Sequence, residues 1–245
     1  MNQDISEKEH SMHRIGYVLP EGFQAMTFST QSVFEFANLL AGRPVYEMEN
    51  YALGGGAVRA SLGLTIHTRP LTARSSADTW MVAGVVAPLA TQTAPGLLRL
   101  LEKIGARAPR MCGLCTGAFL LADTGLLDGR RATTHWAWAD ALQRRHPRIR
   151  VEADRIYITD GLVWTSAGMT AEIDLALGLV EQDLGADIAR SVAHRLVMHQ
   201  RRSGGQSQHS EMLKLAPKSD RMQQVLEHAR RHLAQSLSVE ELADV

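Results

Sequence analysis

Two glycines flank a cysteine in Gly113-Leu114-Cys115-Thr116-Gly117, and the apolar run Ala118 to Leu121 follows at once. This G-x-C-x-G spacing suits a strand that turns sharply into a helix and leaves the central side chain at the bend. A Cβ at either flanking position would crowd the backbone of so tight a turn. A thiol there lies near a helix N-terminus, whose dipole favours a thiolate. His135 follows closely enough to close beside it as a base, with the amides around Thr116 and Gly84 as an oxyanion hole. On these residues alone, the elbow either performs cysteine chemistry or shapes a pocket. No clearly placed carboxylate orients His135.

The flanking chain alternates strand and helix patterns. Ile15 to Leu19 is a short apolar run ended by Pro20 and Gly22, the mark of a buried strand. Val33, Phe36, Ala37 and Leu40 share one helical face, and Gly42 with Pro44 closes it. Val45 to Tyr51 suits a second strand, Ala60 to His67 a weaker hairpin, and Thr79 to Gly84 another buried strand. Pro95 opens a helix that carries Leu97, Leu98, Leu101 and Ile104. Two alternating runs around Asp160-Gly161 predict a hairpin, and Thr170 caps a helix with Ile173, Leu177, Val180 and Leu184 inward. The expectation is an α/β protein: a three-layer, flavodoxin-like, open and mostly parallel sheet, plus a short helical C-terminal fragment.

Charge is uninformative as a total, because Lys+Arg and Asp+Glu are both 26. Its distribution is less even: Ala186 to Leu237 holds nine Lys/Arg against four Asp/Glu. Arg190, Arg195, Arg201 and Arg202 read as a solvated face and linker rather than a phosphate site. Two cysteines rule out a disulfide framework and suit a reducing cytosol, although Cys112 and Cys115 form a C-x-x-C whose redox role has to be weighed. Ten scattered histidines give a metal site little support. No run is long enough to span a bilayer, so a cytoplasmic protein without a membrane partner is expected. Trp136, next to His135, would line a pocket and box a cationic ligand, or equally serve as core.

Cys115 to Ala122, with Thr124 to Trp136 after it, resembles the signature of AraC/XylS-type transcription regulators that carry a PfpI-like sensor domain. That sensor is related to the class I glutamine amidotransferase-like fold. Trp164 to Gly168, Asp174 to Leu177 and Arg202 to Ser207 are similar to the same family. Polar, mixed-charge residues 1–12 read as a flexible extension and the polar, glycine-rich run opening 201–220 as a linker, while the resemblance implies a ligand-sensing and dimerisation domain over 13–200 and the truncated start of a helix-turn-helix domain over 221–245. Ser238-Val239-Glu240-Glu241 is a capping box that opens a helix, and the chain ends before any recognition helix. No DNA-binding residue is thus expected here beyond the domain's start at Ser238 and Glu241.

The resemblance further implies a small-molecule effector, an amino acid or a quaternary amine, bound by Phe23, Gln24, Gly84, Cys115, Thr116, His135 and Trp136. It implies a homodimer, DNA as the partner of the C-terminal domain, and no cofactor. PfpI-like hydrolases and deglycases place an acid after the first strand, where alignment of Leu19 to Gly22 puts Thr27. Cys115 and His135 are therefore expected to be vestigial and the protein not to be an enzyme. The rival expectation is a cysteine-dependent hydrolase or deglycase using both.

Overall fold

The computed structural model describes residues 12–199, 201–208, 220–232 and 238–243. The expected N-terminal extension, all but Met12, lies outside them. The chain divides into two compact units, Met1–Gln208 and His209–Val245.

The first unit is built on an eight-stranded sheet. β1 (His13–Val18) pairs in parallel with β2 (Tyr46–Ala52) on one side and β5 (Thr79–Val82) on the other. Outward from β5 come β6 (Met111–Gly113), parallel β10 (Val163–Ser166), and antiparallel β9 (Tyr157–Asp160) at the edge. β4 (Thr65–Pro70) extends the β2 side, with β3 (Gly56–Arg59) antiparallel beyond it. The full order is β3-β4-β2-β1-β5-β6-β10-β9. β7 (Arg131–Ala132) and β8 (Arg150–Val151) form a separate parallel pair.

Helices cover both faces, because parallel strands joined by crossovers need apolar cover above and below. One core joins the sheet to α1 (Ser29–Ala41), α5 (Thr170–Leu184) and α6 (Ala186–Arg195) through Tyr17, Phe34, Leu175, Leu179 and Val192. The other joins it to α2 (Pro95–Gly105), α3 (Gly117–Asp123) and α4 (Trp136–Arg145) through Trp80, Leu101, Phe119, Leu121 and Leu142. These are the three layers that the alternating pattern predicts.

The differences are local. The hairpin expected over Ala60 to His67 turns there instead, with its strands flanking residues 60–64. α4 went unread in the sequence because its stripe is short: only Ala139 and Leu142 are buried. Thr170 is the first residue of α5 and not its cap, which is Met169 with φ 53°.

The expected linker begins later than residue 201. Residues 201–208 belong to the first unit and lie along edge strand β9, where the Ile156 amide donates to the Gln206 carbonyl at 3.2 Å. Gly204 sits so close to Tyr157 that a Cβ would fall 2.6 Å from its carbonyl oxygen. A polar, glycine-rich run looks like a linker, yet here its glycines allow close approach to an edge strand.

The second unit contains α7 (Asp220–Arg231) and α8 (Val239–Ala243). The capping box forms as read: the Ser238 amide donates to the Glu241 carboxylate at 2.8 Å, and the Glu241 amide donates to Ser238 Oγ at 3.1 Å. Among the described residues no helix is long and apolar enough to cross a membrane.

Candidate functional site

The elbow joins β6 to α3, and Cys115 at its tip has φ 52°. That backbone region is costly for a non-glycine residue and persists only where the surroundings impose it. The imposing contacts are visible. A Cβ on Gly117 would fall 2.2 Å from the Val82 carbonyl oxygen, and one on Gly84 would fall 2.8 Å from the Thr116 amide nitrogen. Both glycines are therefore required by close packing of the turn under β5. Gly168, at φ 90°, lies against the sulfur: a Cβ there would come within 2.3 Å of Cys115 Sγ.

Each residue expected at the site can be placed. Phe23 is fully buried core, in edge-on contact with Phe28. Gln24 donates its amide to the Gly84 carbonyl at 2.9 Å, and its buried Oε1 has no partner among the described residues. Cys115 and Thr116 are each 1% exposed. Thr116 Oγ1 accepts from the Val85 amide at 2.8 Å and donates to the Val85 carbonyl at 2.6 Å. His135 caps α4, its Nδ1 accepting from the Ala137 amide at 3.3 Å. Trp136, its neighbour, is 54% exposed, so the packed-core alternative fails for this ring. Phe23, Gln24, Gly84, Cys115 and Thr116 are brought together around the elbow by these bonds and contacts.

Thr27, fully buried, is indeed no carboxylate, but the sequence reading missed an acid. Glu172, in the first turn of α5, is 1% exposed, and its Oε2 has no partner among the described residues. Burial pushes its carboxyl up to about 8, against a hydrogen bond from the Met169 amide. It also acts on the elbow. Burial pushes the Cys115 thiol up to about 12, Glu172 adds to this, and the Thr116 amide opposes both. The helix-end effect expected to favour a thiolate is outweighed, because desolvation penalises the charged form most strongly. No local pattern in the sequence sets Glu172 apart: it stands beside Asp174, a second acid that α5 also buries. Cys112, fully buried inside β6, is a free thiol like Cys115.

A cavity of about 330 Å³ opens beside the elbow, at the carboxyl ends of β2, β1 and β5. The sheet order reverses there, since β1 has β2 on one side and β5 on the other. Such reversals are where open α/β sheets take ligands. Its walls include Leu19, Leu53, Val58, Val85, Leu97 and Leu120, with Glu21 as the one ionisable residue among the described residues that line it. None of the seven expected site residues lines it.

The strap of residues 201–208 is tied to the elbow through Thr134. Arg202 binds the fully buried Asp174 carboxylate through Nε at 2.9 Å and Nη2 at 2.6 Å, and donates its amide as well at 3.0 Å. Gln208 Nε2 donates to the Thr134 carbonyl at 2.9 Å, and Thr134 Oγ1 donates to the Cys115 carbonyl at 2.9 Å. Gln208 Oε1 accepts from the Trp136 amide at 2.9 Å.

A parallel sheet in the 2-1-5-6-10 core order with a strained elbow cysteine defines a flavodoxin-like α/β protein of the nucleophile-elbow kind. The DJ-1/PfpI family model matches residues 50–182, and the chain belongs to that family. The HTH-type transcriptional regulator GlxA of Rhizobium meliloti is 35% identical over 193 residues, 77% of this chain and 58% of its own. The HTH-type transcriptional regulator CdhR of Pseudomonas aeruginosa is 33% identical over 231 residues, 93% of this chain and 68% of its own. The chain thus spans about three-fifths to two-thirds of the length of these regulators. A crystal structure of an AraC family transcriptional regulator from Pseudomonas putida superposes with a TM-score of 0.69 at 27% identity, covering 75% of this chain and 99% of that one.

Proposed function

We propose that this chain is the effector-sensing part of a cytoplasmic, DNA-binding transcriptional regulator of the AraC type. A small molecule bound near the Cys115 elbow, an amino acid or quaternary amine, biases how a homodimer presents its C-terminal helices to DNA. The observation that carries this reading is the bonded path from elbow to exit. Cys115 is held by Thr134, Thr134 by Gln208, and Gln208 is the last residue of the first unit. Occupancy that shifts the elbow then has a physical route to the segment leading to α7 and α8. Such a device needs a ligand that binds two arrangements with different affinity. The regulator names of the relatives support the same reading.

The test joins this chain to a complete helix-turn-helix domain and measures promoter binding across a panel of amino acids and quaternary amines. One class of metabolite is expected to change DNA affinity by at least about fivefold, the lower range of allosteric coupling. Gln208→Ala should reduce that change without reducing metabolite binding. A regulator that never responds in the complete panel overturns the reading.

Glu172 favours a second reading, the cysteine-dependent hydrolase or deglycase, since it supplies a buried acid close enough to act electrostatically on the thiol. A nucleophilic cysteine needs a lowered pKa, however, and here burial raises it. Turnover of glyoxal adducts or activated esters that disappears in Cys115→Ala would establish the enzyme. Its absence is expected.

A further inference from the structure

The geometry points to the cavity between the ends of β2, β1 and β5 as the effector pocket, built for a small organic ammonium with an apolar body. This rests on the sensor reading above and moves the ligand away from the elbow thiol itself.

Three observations converge. The cavity measures about 330 Å³, the lower end of the range in which proteins enclose small molecules. It lies at the strand-order reversal, a location fixed by topology and independent of side chains. Leu19, Leu53, Val85, Leu97 and Leu120 supply apolar wall, Thr91, Gln92 and Thr93 a neutral polar side, and the only ionisable lining group among the described residues is the Glu21 carboxylate. Among the described residues no lysine, arginine or histidine lines it, so an anion would be desolvated without a counter-charge. The amino end of α2 supplies no charge to an anion, and two of its first positions supply no free amide. Pro95 has no N–H, and the Leu97 amide is already spent on the Ala94 carbonyl at 2.9 Å. A cation keeps its charge beside Glu21, while its carbon skeleton displaces water from the leucines.

The pocket is also wired to the elbow. Val85 forms one wall, and both its amide and its carbonyl are held by Thr116 Oγ1. Thr116 follows Cys115, whose carbonyl is tied through Thr134 to Gln208. The strained cysteine then serves as a joint in a relay: the pocket pushes on one end of the turn and the strap is fastened to the other. This gives a non-catalytic elbow a reason to keep its geometry.

The test uses the chain as it is, with n-butylammonium, n-butanol and n-butyrate as probes of equal carbon length in a thermal-shift titration. Binding to the folded state raises the melting temperature in proportion to occupancy. Butylammonium is expected to stabilise, butanol less, and butyrate not at all. Glu21→Gln should weaken butylammonium by about two- to fivefold, as removal of one partly exposed charge partner does. Leu53→Trp, at a half-open wall, should abolish binding. If that variant fails to fold, Ala57→Trp blocks the same space from an exposed position.

Equal stabilisation by butyrate, no stabilisation by butylammonium, or undiminished binding in a folded Leu53→Trp or Ala57→Trp variant would each overturn the assignment. Loss in Cys115→Ser with retention in Leu53→Trp would place the ligand at the elbow. That outcome overturns this pocket while leaving the sensor reading intact, whose own test is the response of DNA binding.

Discussion

The Thr116 hydroxyl holds Val85 by both of its backbone polar atoms, accepting from the amide at 2.8 Å and donating to the carbonyl at 2.6 Å. One side chain thereby binds the loop after β5 to the elbow after β6. Both residues are buried, at 1% and 4% exposure, so neither backbone group of Val85 can turn to water if the hydroxyl goes. Thr116→Val keeps the shape and removes both bonds. Leaving a buried donor and acceptor unpaired should cost about 2–4 kcal/mol in urea unfolding. Thr116→Ser, which keeps the hydroxyl, should lose well under half of that. A Thr116→Val protein as stable as the parent would mean that the two loops are held by other contacts.

Glu172 gives stability a definite dependence on pH. Its folded-state carboxyl titrates near 8 against an ordinary value of 4.5. Below 4.5 both folded and unfolded chains hold the proton, and the group is neutral toward stability. Between 4.5 and 8 the unfolded chain releases its proton while the folded chain keeps it, so stability falls as pH rises through this window. Above the folded value the loss is complete and constant. Glu172→Gln removes the titration. The difference in melting temperature, variant minus parent, should grow from about pH 4.5 to about pH 8 and then level off. A difference independent of pH would show that Glu172 is solvated or paired in solution.

The Cys115 thiol, pushed up to about 12, should be almost wholly protonated at neutral pH. Reaction requires the thiolate and access to it. Alkylation of the native protein by iodoacetamide near pH 8 should therefore run at least about a hundredfold slower than that of the urea-unfolded chain, an estimate that combines thiolate fraction with burial. Cys112, fully buried and pushed up to about 12 by burial, should be no faster. Rapid, selective labelling of Cys115 in the native state would revive the enzymatic reading.

The fold was legible because its punctuation is chemical. Gly42 ends α1 at φ 66°, Pro95 starts α2, and Asp160-Gly161 turns β9 into β10, each a backbone requirement that few residues meet. The elbow was legible for the same reason: Gly84 and Gly117 have no room for a Cβ. What stayed hidden depends on pairs far apart in sequence. Glu172 acts on Cys115 only because α5 packs against β10, far along the chain from the elbow, and no local pattern announces that influence. The 201–208 strap resembled a linker because Arg202 finds Asp174 only after the sheet has formed. The pocket beside Val85 was hidden because loops from three strands make it, each unremarkable by itself.

Arg202 and Asp174 fasten the strap. Burial pushes the Asp174 carboxyl up, and the amide and guanidinium of Arg202 pull it back. In Arg202→Ala the carboxyl stays fully buried without its counter-charge. Because the Arg202 side chain is 29% exposed, the cost should fall between that of a surface pair and that of a fully buried one, about 2 kcal/mol. The Ile156 amide, bonded to the Gln206 carbonyl, should then exchange faster with solvent deuterium, while amides in β1 and β5 stay protected. Arg202→Lys should recover little, because a single ammonium cannot reproduce the Nε and Nη2 bonds to Asp174 Oδ2. Unchanged exchange at Ile156 would mean that Gln206 is held without the ion pair.

In the second unit, the first turn of α8 depends on a reciprocal pair. Ser238 Oγ takes the Glu241 amide at 3.1 Å, and the Glu241 carboxylate takes the Ser238 amide at 2.8 Å. Ser238→Ala removes the first bond directly. The second weakens with it, because the turn that aims the carboxylate is no longer pinned. A lost N-cap costs about 1 kcal/mol, so exchange of the Glu241 amide should quicken by about fivefold. Ser238→Asp should keep the amide protected, since its carboxylate also accepts from the turn and favours the positive helix end. Glu241→Gln should be nearly neutral, whereas Glu241→Ala should cost less than Ser238→Ala because it spares the bond to the helical amide. Equal exchange rates in Ser238→Ala and the parent would show that this helix start is set by something other than its cap.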